Sequence, residues 1–336
     1  MEPLAQDRHN RVVCIRPGAL GDTLLALPAL ALLRRAIPAA RVTYIGRRDA
    51  LALIHASGLA DHVYPYDLAD WAGLFATKPR ATALARETFT HTVVVAWLRD
   101  EDARAATNLR RLGASAAVVA PPRPTEGGDV HAALLAARAL SPLGIAVPAT
   151  VAGLLSLLPR ITPSSDDVVA AAAVWSSLLA RGSGPVVALH PGSGGAEKRW
   201  PAEAFAALAA ALAARGMRPL LIEGPQDAGV VRAVLSRLPT SDLAVPVVRD
   251  LAPGALAALL GRCAGYAGND SGVSHLAALL GVPTVALFGP TDPALWAPLG
   301  PRIAVVRAPS GRMRDLAVAE VDAALRALLA GMPGPS

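Results

Sequence analysis

The sequence predicts an α/β protein of two doubly wound domains, and three observations carry that expectation. Each half opens with a short apolar run, a glycine-bearing loop and a helical stretch leading to another strand, the order that builds parallel sheets with right-handed crossovers. The 336 residues exceed what one hydrophobic core usually serves. The stretch from Pro142 to Ser165 holds Pro142, Pro148, Pro159 and Pro163 and reads as the connection between halves. The expected domains are therefore 1–160 and 161–336. Open parallel sheets take ligands beyond the carboxyl ends of their strands, so the two domains are expected to face a central cleft.

In the first half, Arg11-Val-Val-Cys-Ile15 reads as a buried strand and Gly18-Ala-Leu-Gly21-Asp22 as a loop. Thr23 to Ala36 is helical, and Arg41-Val-Thr-Tyr-Ile45 is the next strand. Pro28 inside that helical pattern predicts a kink or a later start. Thr92 to Ala96 and Ala116 to Ala120 are further strands, and Val130 to Leu143 is helical. In the second half, Pro185-Val-Val-Ala-Leu189 is a strand, His190 to Arg199 a Gly-rich loop, and Pro201 opens a helix that Gly216 ends. Strands follow at Arg218 to Ile222, Gly265 to Ala267 and Pro283 to Phe288. Leu316 to Leu329 is helical, and Gly331 to Ser336 reads as a frayed tail.

Composition narrows the class. Hydrophobic residues make up 53% and charged residues 17%, which excludes global disorder. A membrane-spanning helix needs about 20 apolar residues. Leu24 to Leu33 ends at Arg34-Arg35, and Val168 to Ala180 contains Ser176-Ser177, so a soluble protein is expected. Met1 to Asn10 carries Glu2, Asp7 and Arg8 without an apolar core and does not read as a secretory signal. Cys14 and Cys263 form neither a disulfide framework nor a metal-ligand spacing, which suits a reducing cytoplasm. The net charge of +6 suits phosphate-bearing ligands or an anionic membrane surface. Aromatic residues are only 4% and no basic cluster is interleaved with them, which argues against nucleic acid.

Four loops carry candidate chemistry. Gly18-Ala-Leu-Gly21-Asp22 has the spacing G-x-x-G-D, neither a dinucleotide fingerprint nor a phosphate loop. Gly18 and Gly21 allow close backbone approach, and Asp22 is either a functional carboxylate or the cap of the helix behind it. The loop His190 to Trp200 has three glycines and Lys198, one of two lysines in the chain. A lysine between a Gly-rich loop and a helix can hold phosphate, or simply face water. Gly268-Asn-Asp-Ser-Gly272 supplies polar groups before a helix whose first turn contains His275, and free N–H groups there can bind an anion. Phe288-Gly-Pro-Thr-Asp-Pro293 is a turn by composition.

The wording and order of these segments resemble the bacterial heptosyltransferases, family nine of the glycosyltransferases. The matching pieces are Ile15-Arg-Pro-Gly-Ala-Leu-Gly-Asp-Thr-Leu24 with Leu27-Pro28-Ala29, and His190-Pro-Gly-Ser193 with Lys198-Arg-Trp-Pro201. Gly268 to Ala278 with Gly281-Val-Pro-Thr284, and Leu287 to Pro293, complete the set. The resemblance runs from about residue 11 to 300 and implies the GT-B fold, two Rossmann-like domains with the acceptor side first and the donor side second.

The resemblance further implies that Asp22 is the general base and that Ser193, Lys198, Ser271 and Gly272 contact the donor diphosphate. Asp270 and His275 match a donor-side motif, and His131 matches a histidine that opens the last helix of the first domain. The expected activity is an inverting, metal-independent transfer of heptose from ADP-heptose to a lipopolysaccharide-core or related glycan acceptor. The expected partners are the nucleotide-sugar donor and a glycan or lipid-linked acceptor, with no cofactor, in the cytoplasm or peripherally on the inner membrane. Asp100-Glu-Asp102 is the nearest approach to a metal-binding D-x-D and reads instead as a solvated helix start. The Gly194-Gly195-Ala196 stretch departs from the family and opens the alternative of another nucleotide sugar with a small-molecule or other glycan acceptor. More remote alternatives are a nucleotide-sugar epimerase and an inactive nucleotide-binding module.

Overall fold

The computed structural model describes residues 11–78, 80–125, 127–179, 183–239 and 243–330. It comprises two compact units, Met1–Thr162 and Pro163–Ser336. The readings of Met1 to Asn10 and of Gly331 to Ser336 lie outside the described residues.

The first unit holds a parallel sheet of β1 (Arg11–Arg16), β2 (Arg41–Gly46), β3 (His62–Pro65), β4 (Val93–Trp97) and β5 (Ala116–Ala120). Their spatial order is β3-β2-β1-β4-β5. Side chains of β4 are buried along its whole length, so both faces of the sheet are covered at its centre. Val13, Ile15, Ile45, Val94 and Ala96 pack with Trp71 and Phe89 into one of the cores. Strand order reverses between β1 and β4, which makes the loop after β1 a topological switch point.

The second unit repeats the plan with β6 (Val186–His190), β7 (Arg218–Glu223), β8 (Val247–Arg249), β9 (Gly265–Asn269), β10 (Thr284–Phe288) and β11 (Ile303–Arg307). All six are parallel, in the order β11-β10-β9-β6-β7-β8. Its core joins Val187, Leu189, Leu221, Val285 and Leu287 to Trp200, Phe205 and Leu325. Here the order reverses between β6 and β9, so the loops after these two strands flank the switch point.

Two expectations are corrected and a third is refined. The helix expected from Thr23 starts at Leu20 and breaks at Ala26 into Leu20–Leu25 and Leu27–Ala36, with Pro28 in the first turn of the second piece. Proline there needs no N–H partner, so the break costs little. Gly21 and Asp22 are thus helical and not loop residues. The helix expected over Val130 to Leu143 spans only Ala132–Arg138, followed by a 3-10 turn at Ser141–Leu143. The stretch from Pro142 to Ser165 is no bare linker. It forms the Val151–Leu155 helix and buries Leu154, Leu157 and Ile161, because these apolar side chains outweigh the prolines around them. Among the described residues no helix is long and apolar enough to cross a membrane.

Candidate functional site

In the first unit, chemistry gathers at the carboxyl end of β1. Pro17 and Gly18 turn the chain into the Leu20–Leu25 helix, and Asp22 lies in its first turn, only 7% exposed. Its Oδ2 accepts the Ala19 N–H at 3.0 Å and an Arg123 guanidinium N–H at 3.2 Å. Its backbone carbonyl accepts from Arg16 Nε at 2.7 Å. Arg16 Nη2 forms an ion pair with Oδ1 at 3.7 Å, too long for a hydrogen bond. The fold needs glycine at Gly18, where a Cβ would lie 2.5 Å from the Cβ of Asp22. Arg16 is itself buried against the Trp97 indole, 5.8 Å from the ring centre. Burial lowers its proton affinity, while Tyr44 and Asp22 support the charge.

Asp22 therefore does not precede the helix as a cap. It braces the helix start from inside, and it is also a carboxylate with two arginine neighbours. Sequence reasoning assigns neither arginine. Arg16 stands within the quoted motif, and Arg123 follows β5, at the same end of the sheet as Asp22. His131 is the cap of the Ala132–Arg138 helix, 5% exposed, its Nδ1 accepting the Ala133 N–H at 3.2 Å. That helix packs against Leu20–Leu25 and Leu27–Ala36. A concavity of about 650 Å³ lined by Lys78, Arg86 and Arg111 lies elsewhere, at the amino ends of β4 and β5.

In the second unit, β10, β9 and β6 are neighbours, so the loops that follow them meet. Asp270 ties them together. Its carboxylate Oδ2 accepts Lys198 Nζ and Thr291 Oγ1, each at 2.9 Å, and its carbonyl accepts Ser193 Oγ at 2.8 Å. Lys198 is thus aimed by a buried carboxylate and is not a free surface cation. Asn269, fully buried, accepts the Trp200 N–H at 3.0 Å and donates to the Pro191 carbonyl at 2.9 Å, fixing both ends of the Gly-rich loop. The Trp200 indole anchors the loop's exit by donating to Leu316 O at 2.9 Å.

Ser271 is the cap residue of the Gly272–Leu279 helix, and Gly272 is its first residue. The first N–H groups of a helix lack backbone partners and favour an anion. His275 lies one turn in, 5% exposed. Gly194 and Gly195 lead into a 3-10 turn at Ala196–Lys198. Two further residues escape sequence reasoning. His190 Nε2 lies 3.0 Å from Asp227 Oδ2, and His190 Nδ1 lies 3.1 Å from Ser271 Oγ. Burial favours a neutral Asp227 carboxyl, but His190, the Gly224 N–H and Arg199 outweigh it and hold the group below the usual carboxylate range. His190 stands in the quoted motif, whereas nothing local marks Asp227.

The structure thus gathers Ser193, Lys198, Asp270, Ser271 and Gly272 at one sheet end of the second unit, and Gly18, Gly21 and Asp22 at one sheet end of the first. Asp100 spends its carboxylate on the N–H groups of Ala105 and Ala106, at 2.7 and 2.9 Å, as a helix start does. Among the described residues no three His, Cys, Asp or Glu side chains gather as metal ligands would.

Comparison with known proteins finds glycosyltransferases. Residues 162–321 match the model of glycosyltransferase family 9 (heptosyltransferase). Lipooligosaccharide heptosyltransferase 2 of Haemophilus influenzae is 30% identical over 135 residues, 39% of either chain. Lipopolysaccharide heptosyltransferase 2 of Escherichia coli is 33% identical over 132 residues, 38% of this chain and 37% of that one. The match spans about two fifths of the length of these relatives. Among solved structures, a family 9 glycosyl transferase from Veillonella parvula superposes with a TM-score of 0.81 at 22% identity, covering 98% of this chain and 99% of that one. The E. coli ADP-heptose lps heptosyltransferase II gives 0.74 at 20% identity, covering 95% and 98%. These likenesses cover both units and show the fold, two Rossmann-like domains of the GT-B class.

Proposed function

We propose, from the match of residues 162–321 to glycosyltransferase family 9 (heptosyltransferase), that the protein transfers a heptose from ADP-heptose to a lipopolysaccharide-core or related glycan acceptor, with inversion. The observation that carries the proposal is the cluster at the switch point of the second unit. There a lysine fixed by a buried carboxylate stands beside a free helix N-terminus and the Ser193 hydroxyl. Such a set suits a diphosphate that gains negative charge as it leaves.

In the proposed reaction the acceptor hydroxyl forms a bond to the anomeric carbon as the bond to the diphosphate oxygen breaks. The electron pair leaves with the nucleoside diphosphate, and the hydroxyl proton passes to Asp22. Proton removal by a placed carboxylate accelerates such steps by about a hundred to ten thousand fold. Lys198 and the Gly272–Leu279 helix supply the positive potential, so the reaction needs no metal. His131 takes an acceptor-side role in this reading, and Asp270 and His275 donor-side ones. The acceptor is a glycan, free or lipid-linked. The place of action is the cytoplasm, with peripheral contact at the inner membrane where the acceptor is lipid-linked.

The glycine pair at Gly194–Gly195 brings no side chain to its turn, which favours keeping other nucleotide sugars as a second reading. A donor screen separates the two. The protein is incubated with a panel of nucleoside diphosphate sugars, with and without acceptor extract, and released nucleoside diphosphate is measured. Acceptor-dependent release from ADP-heptose alone is the expected result, and release from a different donor alone establishes the second reading.

A further inference from the structure

Resting on the donor reading above, we infer that His190 is a positioning residue that sets the direction of the Ser271 hydroxyl proton and so couples diphosphate binding to proton uptake. His190 ends β6 at the switch point and is 4% exposed. It bridges Asp227, on one side at 3.0 Å, and Ser271 on the other at 3.1 Å. The Asp227 carboxylate also accepts the Gly224 N–H at 3.0 Å. Gly192 passes so close that a Cβ there would lie 2.3 Å from that carboxylate, which confines the acid to its place under the ring.

An ionised carboxylate only accepts, so Nε2 of His190 carries a proton and the state of Nδ1 decides what Ser271 can do. In the neutral ring Nδ1 is bare and takes the Ser271 proton, leaving only lone pairs on Oγ. In the imidazolium Nδ1 donates to Oγ, and the hydroxyl proton turns to another acceptor. The other polar neighbours of Ser271 are Ser274 Oγ at 3.4 Å and the Tyr266 hydroxyl. Ser274 itself donates to the Asn269 carbonyl and bonds the Tyr266 hydroxyl at 3.0 Å. Diphosphate oxygens only accept, so they meet lone pairs in the first state and a donor in the second.

The other charged or titratable groups on the surrounding elements are Arg199, the Lys198–Asp270 pair, the Glu223–Arg249 pair at the ends of β7 and β8, Tyr266 and His275. Asp227 is the one in contact with the ring, and a bound diphosphate adds negative charge beyond Ser271.

The test titrates the full chain with ADP-glucose by calorimetry in buffers of different ionisation enthalpy. Its doubly esterified diphosphate carries no proton that titrates between about pH 5 and 8, so uptake reports the protein. Binding heats that vary with the buffer, showing uptake of up to about one proton, are expected, with affinity rising by up to about tenfold per pH unit on acidification. His190→Gln can donate to Asp227 and face Ser271 with its oxygen, as the neutral ring does. It is expected to bind several-fold more weakly, by about the strength of one hydrogen bond, and without uptake. Asp227→Asn is a second variant, also expected to lose uptake. Buffer-independent heats in the wild type overturn the coupling and leave the donor reading standing. Uptake that persists in His190→Gln also overturns it. Failure to bind either ADP-glucose or ADP removes the donor reading itself.

Discussion

Asp22 braces the helix start through Oδ2 and the Ala19 N–H, and in the proposed reaction its carboxylate also takes the acceptor proton. The two jobs separate in Asp22→Asn, because an amide oxygen can still accept the Ala19 N–H but cannot act as a base at neutral pH. The variant should fold, bind nucleotide within about twofold of wild type, and lose turnover by about a hundredfold or more. Calorimetry and a rate measurement on the same preparation check this. Activity within a few fold of wild type would leave Asp22 as a brace only. Lys198→Ala should weaken nucleoside diphosphate binding by about tenfold to a hundredfold, the worth of a charge-assisted hydrogen bond. It should also lower the melting temperature, since Asp270 is 9% exposed and among the described residues keeps only Thr291 as a side-chain partner. Unchanged nucleotide affinity would remove Lys198 from the donor site.

At the scale of elements, the Gly-rich loop after β6 is held in place from β9. Asn269→Ala would strand the Trp200 N–H and the Pro191 carbonyl in a buried setting. A stability loss of about 1–3 kcal/mol is expected, read by denaturant unfolding, together with weaker nucleotide binding. Asp227 adds an acid-side signature. Its folded pKa lies below its unfolded value, so its stabilisation is full above about pH 4 and is lost as pH falls through the folded value. Asp227→Asn should therefore flatten the acid limb of the stability profile. The strands that local patterning revealed are those buried on both faces, such as β4, β6 and β10. The edge strands β3, β5, β8 and β11 are only part-buried. The apolar run Ala116–Ala120 still revealed β5, whereas β3 and β8 are too short to show such a run, and β11 was missed despite its apolar Ile303–Val306. Lys198 was legible as a candidate for holding phosphate, but its fixation by Asp270 was not, because 72 residues separate them. The His190–Asp227 contact is hidden for the same reason. Its partners meet only once β6 and β7 pair and the chain after β7 turns back at Gly224.

For the whole molecule, the proposed function places proton removal on the first unit and diphosphate holding on the second. A phosphate site built from Lys198 and a helix N-terminus needs no divalent ion, so turnover in excess EDTA should match turnover without it. Loss in chelator that magnesium or manganese restores would contradict that assignment. The central claim is tested most directly by offering ADP-heptose and a heptose-deficient lipopolysaccharide core to the wild-type protein and to Asp22→Asn, and following ADP release. ADP release in proportion to added acceptor by the wild type, and almost none by the variant, is the expected result. No acceptor-dependent release by the wild type, or equal release by both proteins, would contradict it.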